Sequence, residues 1–220
     1  MNTNQQQTNN QPTKQELDNA LEARFTSEVY EKFKQAKVAI AGLGGLGSNI
    51  AVMLARTGIG HLHLVDFDQV DITNLNRQAY SISHLGQNKT DALREILQRI
   101  NPYINITTDT VYVDNTNVIQ LFGGYPIVCE AFDRAENKAM LVNQLLEHCT
   151  KTTIVAGSGM AGFGSSNEIG TQRVMKNLYL CGDGTTDVNE VIGLTSARVS
   201  ICAGHQANMI IRLILGIEEV

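Results

Sequence analysis

The chain has 220 residues, 43% of them hydrophobic, enough for one sizeable core that buries roughly three-quarters of the unfolded surface. Its 22 acidic residues outnumber its 17 lysines and arginines, and the net charge of −5 argues against an extended nucleic-acid surface. No apolar stretch reaches the length of a membrane span, so basic residues that gather locally mark a site rather than a footprint.

Residues 1–13 are rich in Gln and Asn and lack the apolar segment of a signal peptide; with little apolar area to offset ordering, they are expected to form a disordered polar tail. One domain is expected over 14–220. Leu17, Leu21, Phe25, Val29 and Phe33 recur every four residues, which predicts one amphipathic helix over 14–35. Val38-Ala39-Ile40-Ala41 then reads as a strand buried on both faces, and Gly42-Leu43-Gly44-Gly45-Leu46-Gly47 follows it directly. Without Cβ atoms at Gly44 and Gly45 a phosphate can approach the backbone, and a helix opening near Ser48 and running to Thr57 would aim unpaired N–H groups at it. A bare packing turn between strand and helix would use the same glycines.

A second strand, 61–65, leads to Asp66, about twenty residues past the glycines, where an acid that binds ribose hydroxyls is expected. A strand-end aspartate or helix cap is the alternative. The polar run continues through Asp68, Asn74, Arg77 and Gln78 to Lys89 at the start of a helix over 90–100. A fork-shaped guanidinium and a point-charge ammonium beside a nucleotide suit a triphosphate undergoing displacement at phosphorus. A structural ion pair at Arg77 and a solvated helix start at Lys89 are the competing uses.

Farther along, 104–113 predicts a strand, 115–122 a short helix and 125–131 a buried strand ending at Phe132-Asp133-Arg134. Asp133 then stands at the carboxyl edge of the sheet, placed to hold Mg²⁺ against phosphates or to cap the helix 135–148; Glu130 is a secondary candidate. A strand over 151–158 runs into a glycine-dense segment, Gly157 to Gly164, which predicts close approach by a ligand. A hairpin follows, 169–174 and 178–180, then an acidic loop over 185–193 and a long helix over 195–215. The alternation gives an α/β fold: a Rossmann-like doubly wound, mostly parallel sheet with helices on both faces and a C-terminal antiparallel hairpin. His61, His63 and His205 are expected to pack rather than ligate. Cys129, Cys149, Cys181 and Cys202 show no zinc-ligand spacing, so no structural zinc is expected, and free thiols fit a reducing cytoplasm.

Taken jointly, Gly42 to Gly47, Asp66-Phe67-Asp68, Asn74-Leu75-Asn76-Arg77-Gln78, Lys89 and Asp133 resemble the ThiF/MoeB/HesA superfamily, bacterial relatives of ubiquitin-activating enzymes. The likeness runs from about Arg24 to the C-terminus and is nearest to the short ThiF group, whose members adenylylate the sulfur carrier ThiS in thiamine biosynthesis. It implies an enzyme that uses ATP and Mg²⁺ to adenylylate the C-terminal glycine carboxylate of a small β-grasp sulfur carrier and that forms a homodimer, with neither nucleic acid nor membrane involved. By the same resemblance Gly42, Gly44, Gly45, Gly47, Asp66, Asp68, Asn74 and Gln78 bind nucleotide. Arg77 and Lys89 would face phosphates and developing charge, Asp133 would hold magnesium, and Cys181 would pass sulfur, with a small buried hydrophobe on a strand as its competing use. The glycine segment with Ser165 and Ser166 would channel the carrier's tail.

The pattern departs in two places. Many relatives carry two N-terminal arginines spaced by two residues; here Arg24 matches and Ser27 stands in the second place. Paired Cys-x-x-Cys motifs are absent. Other readings remain: a molybdopterin-type or cysteine-pathway carrier or a short peptide as partner, a nicotinamide-dependent oxidoreductase that would leave Arg77, Lys89 and Asp133 without work, or a nucleotide-binding scaffold without turnover.

Overall fold

The structure, a computed structural model, describes residues 11–186 and 193–220. Seven strands form one sheet: β1 (Lys37–Ala41), β2 (His61–Val65), β3 (Asn105–Asp109), β4 (Ile127–Glu130), β5 (Thr153–Gly157), β6 (Gly170–Met175) and β7 (Leu178–Gly182), in the order β3-β2-β1-β4-β5-β7-β6. Every neighbouring pair is parallel except the β6–β7 hairpin. The strands fill one side of β1 and then, from β4 onward, the other. The expected α/β architecture is therefore present, with its switch point between β1 and β4.

The helices are α1 (Lys14–Glu22), α2 (Ser27–Gln35), α3 (Gly45–Thr57), α4 (Lys89–Ile100), α5 (Val118–Phe122), α6 (Ala135–His148) and α7 (Ser196–Ile214). Alternation along β1 sorts them into two layers. Val38 and Ile40 face one core with Ile50 and Leu54 of α3, Leu93 and Leu97 of α4, and Val199 and Ile210 of α7. Ala39 and Ala41 face the other, with Phe122 of α5 and Leu141 and Leu145 of α6. Both faces of β1 and β4 are buried, as parallel strands covered on two sides require.

The single N-terminal helix expected over 14–35 is two. Thr13 caps α1 in a reciprocal capping box with Glu16, and Thr26 caps α2 by accepting from the Val29 N–H. The four-residue apolar repeat crosses this second cap; the hydroxyl of Thr26 offers the backbone a helix start that periodicity does not register. Strand β3 is also shorter than expected: after Asp109 the chain leaves the sheet edge, and Val111 to Val113 become a wall of the cavity below. Of the loop expected over 185–193, residues 187–192 lie outside the described residues, as does most of the tail.

Candidate functional site

At the carboxyl ends of β1 and β4 the sheet opens into a cavity of about 1000 Å³. Each strand around the switch point delivers one part of it. Gly42, Gly44, Gly45 and Leu46 follow β1, Asp66 to Asp68 follow β2, Ala131 to Asp133 follow β4, and Gly157 at the end of β5 leads into Ser158 to Met160.

The glycine turn opens directly into α3, whose N-cap is Gly44, so the helix begins earlier than the expected Ser48 and no side chain caps it. Its positive dipole end is left to the cavity. Gly42 has φ +90°, and a Cβ there would meet the Ala131 carbonyl oxygen at 2.8 Å, so the turn and the end of β4 come together only because this residue is glycine. Asp66 is nearly buried and closes the turn: the Leu43 N–H donates to its Oδ2 at 2.6 Å and the Asp68 N–H to its Oδ1 at 2.8 Å. Burial pushes the Asp66 carboxyl up, against the opposing pull of Lys89 and of these two N–H donors.

Arg77, Lys89 and Asp133 all line this one cavity. Lys89 is buried to 6% exposure, and its ammonium donates to Asp68 Oδ2 at 2.7 Å. Asp68 thus anchors Lys89. The Arg77 guanidinium donates to the Thr73 carbonyl at 3.0 Å and to Asn76 Oδ1 at 2.9 Å, while its aliphatic stem lies over Gly45. Asn74 and Gln78 line the wall beside it, and the Gln78 Oε1 is buried with no hydrogen-bond donor among the described residues. The Asp133 carboxylate is exposed at the rim and engaged by neither hydrogen bond nor ion pair among the described residues. Glu130, fully buried, points away from solvent and pairs with Lys138 at 2.7 Å; burial pushes its carboxyl up against the pull of that ammonium. Glu130 Oε1 accepts the Phe132 N–H and Lys138 donates to the Phe132 carbonyl, so the pair grips the residue before Asp133 from both sides.

A family model described as the ThiF family matches residues 17–220. The chain belongs to the ThiF family. Among relatives, a molybdopterin-synthase adenylyltransferase of Salmonella typhimurium is 34% identical over 160 residues, which is 71% of this chain and 62% of that protein. A tRNA threonylcarbamoyladenosine dehydratase of Haemophilus influenzae is 33% identical over 61% of this chain and 52% of its own. This ThiF-family chain therefore matches less than two thirds of the length of either relative. Among solved structures, Escherichia coli tRNA N6-threonylcarbamoyladenosine dehydratase in complex with ATP superposes with a TM-score of 0.81 at 22% identity, covering 90% of this chain and 93% of that one. Escherichia coli MccB with ATP gives a TM-score of 0.67 at 25% identity over 87% of this chain and 59% of that one.

Some residues expected at the site lie elsewhere in the ThiF-family fold. Gly47 does not line the cavity: its missing Cβ would stand 1.9 Å from the Gly42 carbonyl oxygen, so this glycine lets helix α3 close on β1. Arg24 is exposed between α1 and α2 and is not among the lining residues, while the Ser27 hydroxyl donates to Glu22. Cys181 is fully buried in the core between Thr171 and Cys202, and burial pushes its thiol up to about 11. A thiolate is disfavoured there.

The glycine-dense segment has an internal reason. A Cβ at Gly159 would lie 2.2 Å from Asp183 Oδ1, and one at Gly182 would lie 1.8 Å from the Ser158 carbonyl oxygen. These glycines let the segments at the ends of β5 and β7 approach each other, and Gly157 and Gly159 also line the cavity. Lys138, which lines the cavity, was not singled out by sequence; a cation in the second turn of the helix after Asp133 is its only signal. Phe67 and Tyr112, an edge-to-face pair at 5.1 Å on the rim, are separated by 45 positions in the chain and carry no local pattern.

Proposed function

We propose that this chain adenylylates the C-terminal glycine carboxylate of a small β-grasp sulfur carrier of the ThiS type, releasing pyrophosphate. One observation carries the reading: an uncapped helix start, Arg77, Lys89 and Asp133 line the same cavity at the switch point. The relatives named as adenylyltransferases support it, as does the ATP carried by MccB.

In the proposed reaction a carboxylate oxygen of the carrier attacks the α-phosphorus of ATP, a new O–P bond forms, and the bond to the bridging oxygen breaks with pyrophosphate leaving. No proton is transferred, because a terminal carboxylate is already ionised near neutral pH. The chain's own work is positioning and charge stabilisation. The α3 N-terminus, Arg77 and Lys89 would bind phosphate oxygens, Asp66 the ribose hydroxyls, and Gln78 on the cavity wall the nucleotide. The residues fit a magnesium ion in the way that ion is usually held: one exposed carboxylate, Asp133, with phosphate oxygens completing the shell. Bound there, magnesium would neutralise phosphate charge. A homodimer and a thiamine-pathway carrier belong to the same proposal.

A second reading keeps the chemistry and changes the partner, since relatives are named for molybdopterin synthase as well as for a tRNA nucleoside. ATP–pyrophosphate exchange run against several carriers tests both. Exchange should require a carrier, and Arg77→Ala, Lys89→Ala or Asp133→Ala should lower it by on the order of a hundredfold. Wild-type exchange rates in all three variants would overturn the site.

A further inference from the structure

The glycine turn and the segment that carries Arg77 are interlocked by three side chains that no part of the proposed reaction uses. Three successive carbonyls of the turn are each taken by a different one: the Tyr80 hydroxyl donates to Leu43 O at 2.8 Å, the Ser48 hydroxyl to Gly44 O at 2.6 Å, and the Asn49 amide to Gly45 O at 2.6 Å. Bonds from Ser48 and Asn49 to carbonyls four residues back are ordinary helix-surface behaviour. Their other bonds are not. The same Asn49 amide donates to the Arg77 carbonyl at 2.9 Å, 28 residues away, and the Ser48 oxygen accepts the Ala79 N–H at 3.1 Å. Ser48 is fully buried and Tyr80 nearly so.

From this geometry we infer that Asn49, with Ser48 and Tyr80 beside it, is a positioning residue that locks Arg77 to the helix start facing the cavity, so that guanidinium and backbone N–H groups meet a polyphosphate as one preformed unit. The inference rests on the nucleotide reading above. Its physical basis is that a long side chain on a loop holds its charge in place only if the loop backbone is held, and preorganised charge is what stabilises phosphate without reorganisation. Asn49 is suited to the task because both acceptors are carbonyls and its amide carries two donors. Aspartate has the same shape and no donor.

The test is a double-mutant cycle on the full chain: ATP dissociation constants and unfolding temperatures for wild type, Asn49→Asp, Arg77→Ala and the double variant. Asn49→Asp should weaken ATP binding about tenfold when Arg77 is present and less than twofold when it is absent, whereas any general loss of stability falls equally in both backgrounds. Equal weakening in both backgrounds, or none in either, overturns the inference. If Asn49→Asp does not fold, Tyr80→Phe, which removes a single hydroxyl, makes the same comparison. Failure of the wild type to bind ATP removes the nucleotide reading and this inference together; an additive cycle in an ATP-binding protein removes this inference alone.

Discussion

Arg198 of α7 and Asp183 after β7 form a buried ion pair, Nη2 to Oδ2 at 2.6 Å, with side chains 4% and 3% exposed. The same guanidinium donates to the Gly164 and Ser165 carbonyls at 2.6 and 2.7 Å. It therefore ties the last helix to two loops, one of which, through Gly184 to Thr186, walls the cavity. Removing one partner of such a pair leaves the other charge uncompensated in a dry setting. Arg198→Met should cost roughly 3–5 kcal/mol in urea unfolding. A loss below about 1 kcal/mol, the range of a surface pair, would show that the setting is wetter than its burial implies.

The same pair sets an acid limit on stability. Burial alone would push the Asp183 carboxyl up, but N–H and hydroxyl donors from Thr186 and Thr185 and the Arg198 guanidinium together hold it well below the usual carboxylate range. With the folded pKa below an unfolded value of about 3.9, the unfolded state binds more protons as pH falls. The contribution is thus complete above about pH 4 and fades below it. Wild-type unfolding midpoints should drop through that range more steeply than those of Asp183→Asn; parallel curves would remove Asp183 as the responsible group.

Most of the fold was legible because strand burial on two faces and glycine turns write themselves into short local patterns: Val38 to Ala41, Gly42 to Gly45 and the acid at Asp66 follow one another within 29 positions. What was not legible depends on pairs distant in sequence. The cap at Thr26 overrode a regular apolar repeat because one hydroxyl decides where a helix starts. Gly159 and Gly182 answer to each other's loops, a constraint invisible until β5 and β7 are neighbours. Lys138 likewise acquires its place only when Glu130 is fully buried beside it.

Glycines that look alike in sequence should separate on substitution. A methyl group at Gly47 would stand 1.9 Å from the Gly42 carbonyl, backbone that cannot move without disturbing the turn, whereas one at Gly204 in α7 meets nothing within 4 Å. Gly47→Ala should therefore destabilise by at least about 3 kcal/mol and weaken ATP binding with it. Gly204→Ala should stabilise by about 0.5–1 kcal/mol, since alanine loses less freedom on entering a helix. Denaturant unfolding of the two variants side by side checks both, and a stable Gly47→Ala protein would mean that α3 does not close on β1 at this distance.

The thiols should divide by burial rather than by neighbouring charge. Cys129, Cys181 and Cys202 are buried, and burial pushes Cys181 up to about 11 and Cys202 up to about 12. Cys149, at the end of α6, is half-buried. Because the thiolate is the nucleophile, brief treatment of the native protein with iodoacetamide at about pH 8 should label Cys149 alone, with the other three reacting only after denaturation. Mass mapping of the labelled peptides gives the answer directly. Fast native labelling of Cys181 would show that the β7 strand opens to solvent, and would restore this cysteine as a group able to carry sulfur; its absence, together with unaffected thiocarboxylate formation by Cys181→Ala, assigns the residue to the core.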